Sequence, residues 1–127
     1  VVERGDGHIL RMRVLTGWLE RLRGLLGTRR DGPLAEPVVL VDCGSVHTLG
    51  MAYEIDVALL GADGSVVKSR RGVPPGRVVG ARGASLALER PSALSPWPTE
   101  GQRVTFRTEG PNRAVGWWNQ EEGKVRS

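Results

Sequence analysis

Cys43, His47 and Asp56 are the side chains whose chemistry would combine into a reactive centre. A thiolate nucleophile, an imidazole base and a carboxylate orienting that base form a hydrolytic or thiol-dependent relay when they meet within hydrogen-bond reach. Cys43 is the only cysteine and His47 one of two histidines in 127 residues, and both lie in the stretch DCGSVHTLGM, residues 42–51. Metal binding is a second use of the same groups, with His8 or Asp56 as a further ligand. Structural zinc normally takes four N or S ligands, and one cysteine with two histidines falls short. The expectation is therefore no metal and no cofactor. Two features weigh against the relay. Cys43 follows an apolar run, where cysteine usually behaves as a small hydrophobe. No strained nucleophile turn or oxyanion loop is legible beside it.

The same residues have a structural reading. Asp56 sits among apolar neighbours, and a buried carboxylate needs donors. Ser45, His47, Thr48 or loop N–H groups would supply them and tie the loop to a strand. The polar groups would then rim a small pocket. Its expected ligand-binding residues are Ser45, His47, Thr48, Met51 and Asp56, with Arg77 from the facing 70–83 loop. The leading expectation is a non-enzymatic domain that binds a small ligand or a protein partner. Catalysis by Cys43, His47 and Asp56 is the alternative.

These residues have to be placed by the surrounding elements. HILRMRVLT (8–16) alternates with period two and predicts a half-buried strand near an edge. TGWLERLRGLLG (16–27) shifts to helical spacing through Leu19, Leu22 and Leu26, with Thr16 as N-cap and Gly27 as C-cap. VVLVD (38–42) is a continuous apolar, β-branched run and predicts a strand buried on both faces. YEIDVALLGADGSVVKS (53–69) predicts a β-hairpin turning at Asp63–Gly64. Pro74 and Pro75 make 71–83 a loop or edge segment. ASLALER (84–90) and QRVTFRTE (102–109) alternate as strands, joined by a proline-broken connection over 91–101. Glu89 ends its strand and is expected to pair with Arg23 or another arginine.

The expected architecture is mainly β. It is a single-domain β-sandwich or jelly-roll-like fold, or a partly closed barrel, with one short N-terminal helix. The domain spans 1–109, and 110–127 is a partly mobile tail whose Trp117–Trp118 pair folds back onto the sheet. Length and composition fit one globular domain, with 39% hydrophobic and 25% charged residues. No apolar run is long enough for a transmembrane helix. A single cysteine forbids an internal disulfide, which suits the cytoplasm. The chain does not begin with Met, which leaves export through a removed leader open.

The formal charge is +4, and 16 of the 18 basic residues are Arg. Lys68, Arg70, Arg71, Arg77 and Arg82 crowd the stretch 65–88, which contains no acid. Weak binding to nucleic acid or an anionic surface would follow from such a stretch, and a solvated basic face is the simpler reading. No helix-turn-helix, zinc-finger or aromatic RNA-binding pattern supports nucleic-acid recognition.

One ordered set of motifs points further. RLRGLLGTRR precedes VVLVDCGSVHTLGMAYEIDVALLGADGSVVK, and GARGASLALER and EGQRVTF follow. The set resembles the uncharacterised family called domain of unknown function 192 over roughly residues 9–107. The resemblance rests on Arg23–Leu26, Ser45–Met51, Ile55–Val57, Asp63–Gly64, Leu88–Glu89 and Gly101. Leu49 departs from the family's aromatic after His-Thr, and ERPSALSPWPTEG departs from its Leu-Pro-Ala-Gly-type turn. The resemblance implies a compact jelly-roll β-sandwich with short helical pieces and no established activity. It also implies a link, in some relatives, to secretion or pilus assembly.

Overall fold

A computed structural model describes residues 7–16, 36–49 and 51–119. The described residues are mainly β. Nine strands form: β1 Gly7–Leu15, β2 Val38–Val41, β3 Ser45–His47, β4 Ile55–Leu60, β5 Val66–Val73, β6 Val78–Gly80, β7 Leu86–Pro91, β8 Thr105–Thr108 and β9 Arg113–Asn119. Seven make one sheet in the order β5-β4-β7-β2-β1-β9-β8, and β3 and β6 pair as a separate two-stranded ribbon. The helix expected over 16–27, and Arg23 with it, lies outside the described residues. No helix among the described residues is long and apolar enough to cross a membrane.

The central strands β2, β4 and β7 of the large sheet are buried on both faces, which explains their apolar runs. All six residues of β4 are buried. Ile55, Val57 and Leu59 join Val38, Leu40, Ala87 and the ribbon's Val46 and Val79 in one core. Ala58 and Leu60 join Met12, Val39, Leu88, Trp97, Val104 and Trp118 in a second core on the opposite face. The β4–β5 hairpin turns at Asp63–Gly64, where Gly64 has φ 89°. The turn also draws the two sheet edges together. Val66 N donates to Gln102 O (2.8 Å), Gly101 N to Val66 O (3.1 Å) and Val104 N to Gly64 O (2.9 Å). The sheet nevertheless does not close.

Two expectations are corrected. β1 is not near an edge: it lies between β2, to which it runs parallel, and β9, to which it runs antiparallel. Its alternation is imperfect because Arg11 and Arg13 reach out to Glu109 and Glu36 (2.9 and 3.2 Å). Nor is 110–127 a tail from its start. Arg113–Asn119 is β9, paired with both β1 and β8, and it buries Ala114, Val115 and Trp118. Its alternating pattern is diluted by Gly116 and the polar residues around it. Residues 120–127 lie outside the described residues.

Two measurements check this account of the hairpin. A Cβ at Gly64 would collide with the Val104 carbonyl oxygen, at a φ that disfavours side chains. Gly64→Ala is expected to cost about 2 kcal/mol or more in urea unfolding. Beside it, the Ser65 backbone N–H and then the Ser65 hydroxyl hold the Asp63 carboxyl below its usual pKa. Its contribution to stability is therefore present above the unfolded-state pKa and fades as pH falls through the lowered one. Ser65→Ala should move the Asp63 titration midpoint upward by NMR.

Candidate functional site

The segment that carries Cys43 and His47 is shaped by its backbone. Asp42 takes φ 57°, a left-handed conformation that aspartate tolerates better than most residues. Gly44 then passes so close to the Ala84 carbonyl oxygen that a Cβ would sit 2.9 Å from it. The Cys43 thiol donates to Ser45 O (3.1 Å), and its half-buried side chain packs against the ribbon-side core. Ser45–His47 then pairs with Val78–Gly80, with Ser45 opposite Gly80 and His47 opposite Val78.

Thr48 locks this ribbon. It is fully buried, and its hydroxyl donates to Pro74 O (2.7 Å) while accepting from Arg77 N (2.8 Å). Its own N–H donates to Arg77 O (2.8 Å), and its carbonyl accepts from Gly76 N and Met51 N (both 3.1 Å). Every polar atom of one threonine is thus spent on joining 45–51 to the 74–77 turn. The structure brings together the two segments expected to form one site. It also sorts their residues. Ser45 and Arg77 are exposed and His47 half-exposed, whereas Thr48 and Met51 are buried and hold the surface from beneath.

Asp56 does not belong to that group. The expectation that Ser45, His47 or Thr48 supply its donors is corrected by the sheet register, which sets Asp56 directly opposite Arg90. One carboxylate oxygen accepts from Arg90 Nε (2.9 Å). The other accepts from Gly72 N and the Ser92 hydroxyl (2.9 Å each). Asp56 is 1% exposed, and its side chain lies on the sheet face away from the ribbon. His47 Nδ1 is buried with no hydrogen-bond partner among the described residues. The geometry therefore holds no Cys43–His47–Asp56 relay, because the carboxylate meant to orient the imidazole is fully engaged elsewhere. Among the described residues, no three of the His, Cys, Asp and Glu side chains gather as a metal site would require.

Arg90 and Trp97 are the residues that reading the sequence missed. The Arg90 guanidinium lies 4.6 Å from the centre of the Trp97 ring and donates to Ser95 Oγ, Ser95 O and Pro96 O (3.0, 2.7 and 3.1 Å). It folds the 92–97 segment over the sheet. A signal was present: strand alternation puts Arg90 on the same face as half-buried Leu86 and buried Leu88. A shallow depression of about 570 Å³ borders Asp56, lined by Arg71, Gly72 and Ser92–Leu94. Arg71 reaches across it to the carbonyls of Ala93 and Ser95 (2.6 and 2.8 Å).

Comparison with protein-family models, curated proteins and solved structures finds no match to this chain.

The Asp56–Arg90 pair makes a quantitative test. Removing one partner strands a buried charge, so Asp56→Ala and Arg90→Ala should each cost about 3–5 kcal/mol in chemical denaturation. A double-mutant cycle should show the two losses to be strongly non-additive.

Proposed function

We propose that the protein is a non-enzymatic binding domain of the domain-of-unknown-function-192 type, and that the β3–β6 ribbon is its recognition surface. The observation that carries this reading is the Thr48-locked union of 45–51 with 74–80. It leaves Ser45, Arg77 and Val78 exposed and His47 half-exposed along the ribbon, over a packed core. The ribbon packs Val46 and Val79 across Val38, Leu40, Val57 and Leu59, which fits a sandwich whose second layer is small. The engagement of Asp56 by Arg90 and Ser92 favours binding over a thiol-dependent hydrolase. Exposed apolar groups beside cations that have no ion pair among the described residues suit a protein partner better than a small molecule. Val78 is 71% and Leu49 55% exposed, and Arg77 lies next to Val78.

An interaction screen with the purified protein tests the placement. Arg77→Ala should leave thermal unfolding within about 0.5 kcal/mol of the parent, as surface changes usually do, and His47→Ala, at a half-buried side chain, should leave the protein cooperatively folded. Each should weaken partner binding by about tenfold, a loss of roughly 1.4 kcal/mol. Binding that survives both substitutions at full strength sinks the placement.

A further inference from the structure

We propose that the outer edge of β6 accepts an extended acidic and apolar segment of a partner protein as an added antiparallel or parallel strand. This rests on the ribbon's being the recognition surface and names the partner's chemistry. The first argument is backbone parity. Thr48 N→Arg77 O and Ala81 N→Gly44 O are the ladder bonds that flank the ribbon at either end (2.8 and 3.2 Å). In an antiparallel ladder, bonded and non-bonded pairs alternate. Val46 and Val79 are then a bonded pair, whereas the N–H and C=O groups of Val78 and Gly80 point away from β3. The Gly80 carbonyl accepts from Lys68 Nζ (2.7 Å). The Val78 N–H and C=O have no hydrogen bond among the described residues, on the residue whose side chain is 71% exposed.

The second argument is a contrast between edges. On β5, an edge of the large sheet, the Ser69 N–H is taken by the Glu100 carboxylate (2.9 Å) and the Ser69 hydroxyl by Pro98 O (2.7 Å). Pro74 and Pro75 follow directly after that strand. Such guards are how proteins keep sheet edges from pairing. On β6 Lys68 covers the Gly80 carbonyl, whereas the Val78 N–H and C=O carry no such guard among the described residues.

The charge around β6 selects the occupant. Of the five basic residues in 65–88, Arg70 pairs with Glu100 (3.2 Å) and Arg71 bonds the 93–95 carbonyls. Lys68, Arg77 and Arg82 remain by the ribbon, and none of the three has an ion pair among the described residues. Three cations repel a second copy of the same edge and attract carboxylates. In strand addition, backbone bonds supply affinity and alternating side chains supply specificity. A segment alternating acidic and β-branched residues matches Val78 between Arg77 and Arg82.

The probe is a blocked peptide of alternating glutamate and valine, titrated into the full chain and followed by amide NMR and hydrogen exchange. Shifts should centre on Val78–Gly80, with slowed exchange at the Val78 N–H, and affinity should fall about tenfold or more in half-molar salt. The same peptide N-methylated along one edge should bind at least about tenfold more weakly, equivalent to roughly 1.4 kcal/mol. Val78→Pro, which deletes an outward N–H that the ribbon does not use, should lose as much. Equal binding of the N-methylated peptide to the parent protein overturns strand addition, whether or not Val78→Pro folds. So does the absence of any binding at low salt, and the ribbon reading then still stands or falls on the His47 and Arg77 variants. Tighter binding of single-stranded oligonucleotide or phosphatidylserine vesicles than of the peptide overturns the choice of a protein segment.

Discussion

The contact between Asp56 and Arg90 sets conditions for much of the structure around it. Burying a carboxylate and a guanidinium costs several kcal/mol each unless nearly every lone pair and N–H is matched. Here Asp56 is matched from farther along the chain, by Gly72 on β5 and Ser92 after β7, and Arg90 by the nearby carbonyls of Ser95 and Pro96. Meeting that demand aligns β4 with β7, fixes the irregularity in β5 opposite Asp56, and folds 92–97 down so that Trp97 packs under the guanidinium. The Trp97-side core is then sealed by a segment that has Pro91, Pro96 and Pro98 in or beside it and no strand of its own.

Thr48 does on the other face what Arg90 does on this one. A single buried side chain satisfies a turn that cannot satisfy itself, because Pro74 and Pro75 lack N–H groups. With the turn held from below, the ribbon can leave apolar Val78 and two arginines in solvent without losing its shape. That exposed, cationic edge is the one the proposed recognition would use, while the Asp56 carboxylate is engaged by Arg90 and the Cys43 thiol is bonded to a backbone carbonyl.

Much of the large sheet was legible in the chain. β2, β4, β5, β7 and β8 were read from apolar runs, alternation and the Asp63–Gly64 turn, since their side chains meet two cores and must alternate or stay apolar. β3 and β6 are only three residues long, too short for any periodicity to register. β9 was missed because Val115, Trp117 and Trp118 are spaced by Gly116 among polar residues, yet pairing on both sides buries it. β1 was placed near an edge for the charged residues on one face, and those arginines are met by Glu36 and Glu109 instead.

For the site, the sequence by itself determined that Asp56, within Ile-Asp-Val, would need donors, and that Ser45–Met51 and the 70–83 segment carry the polar groups to build a surface. Local spacing encodes such needs because burial follows from the neighbours on the same strand. Which donors answer was decided only by the tertiary structure. Arg90 is 34 residues away and meets Asp56 through sheet register alone, so no local pattern could rank it above Ser45 or His47. The same register turned the Asp56 carboxylate to the face opposite the ribbon, and with that the apparent Cys-His-Asp centre came apart.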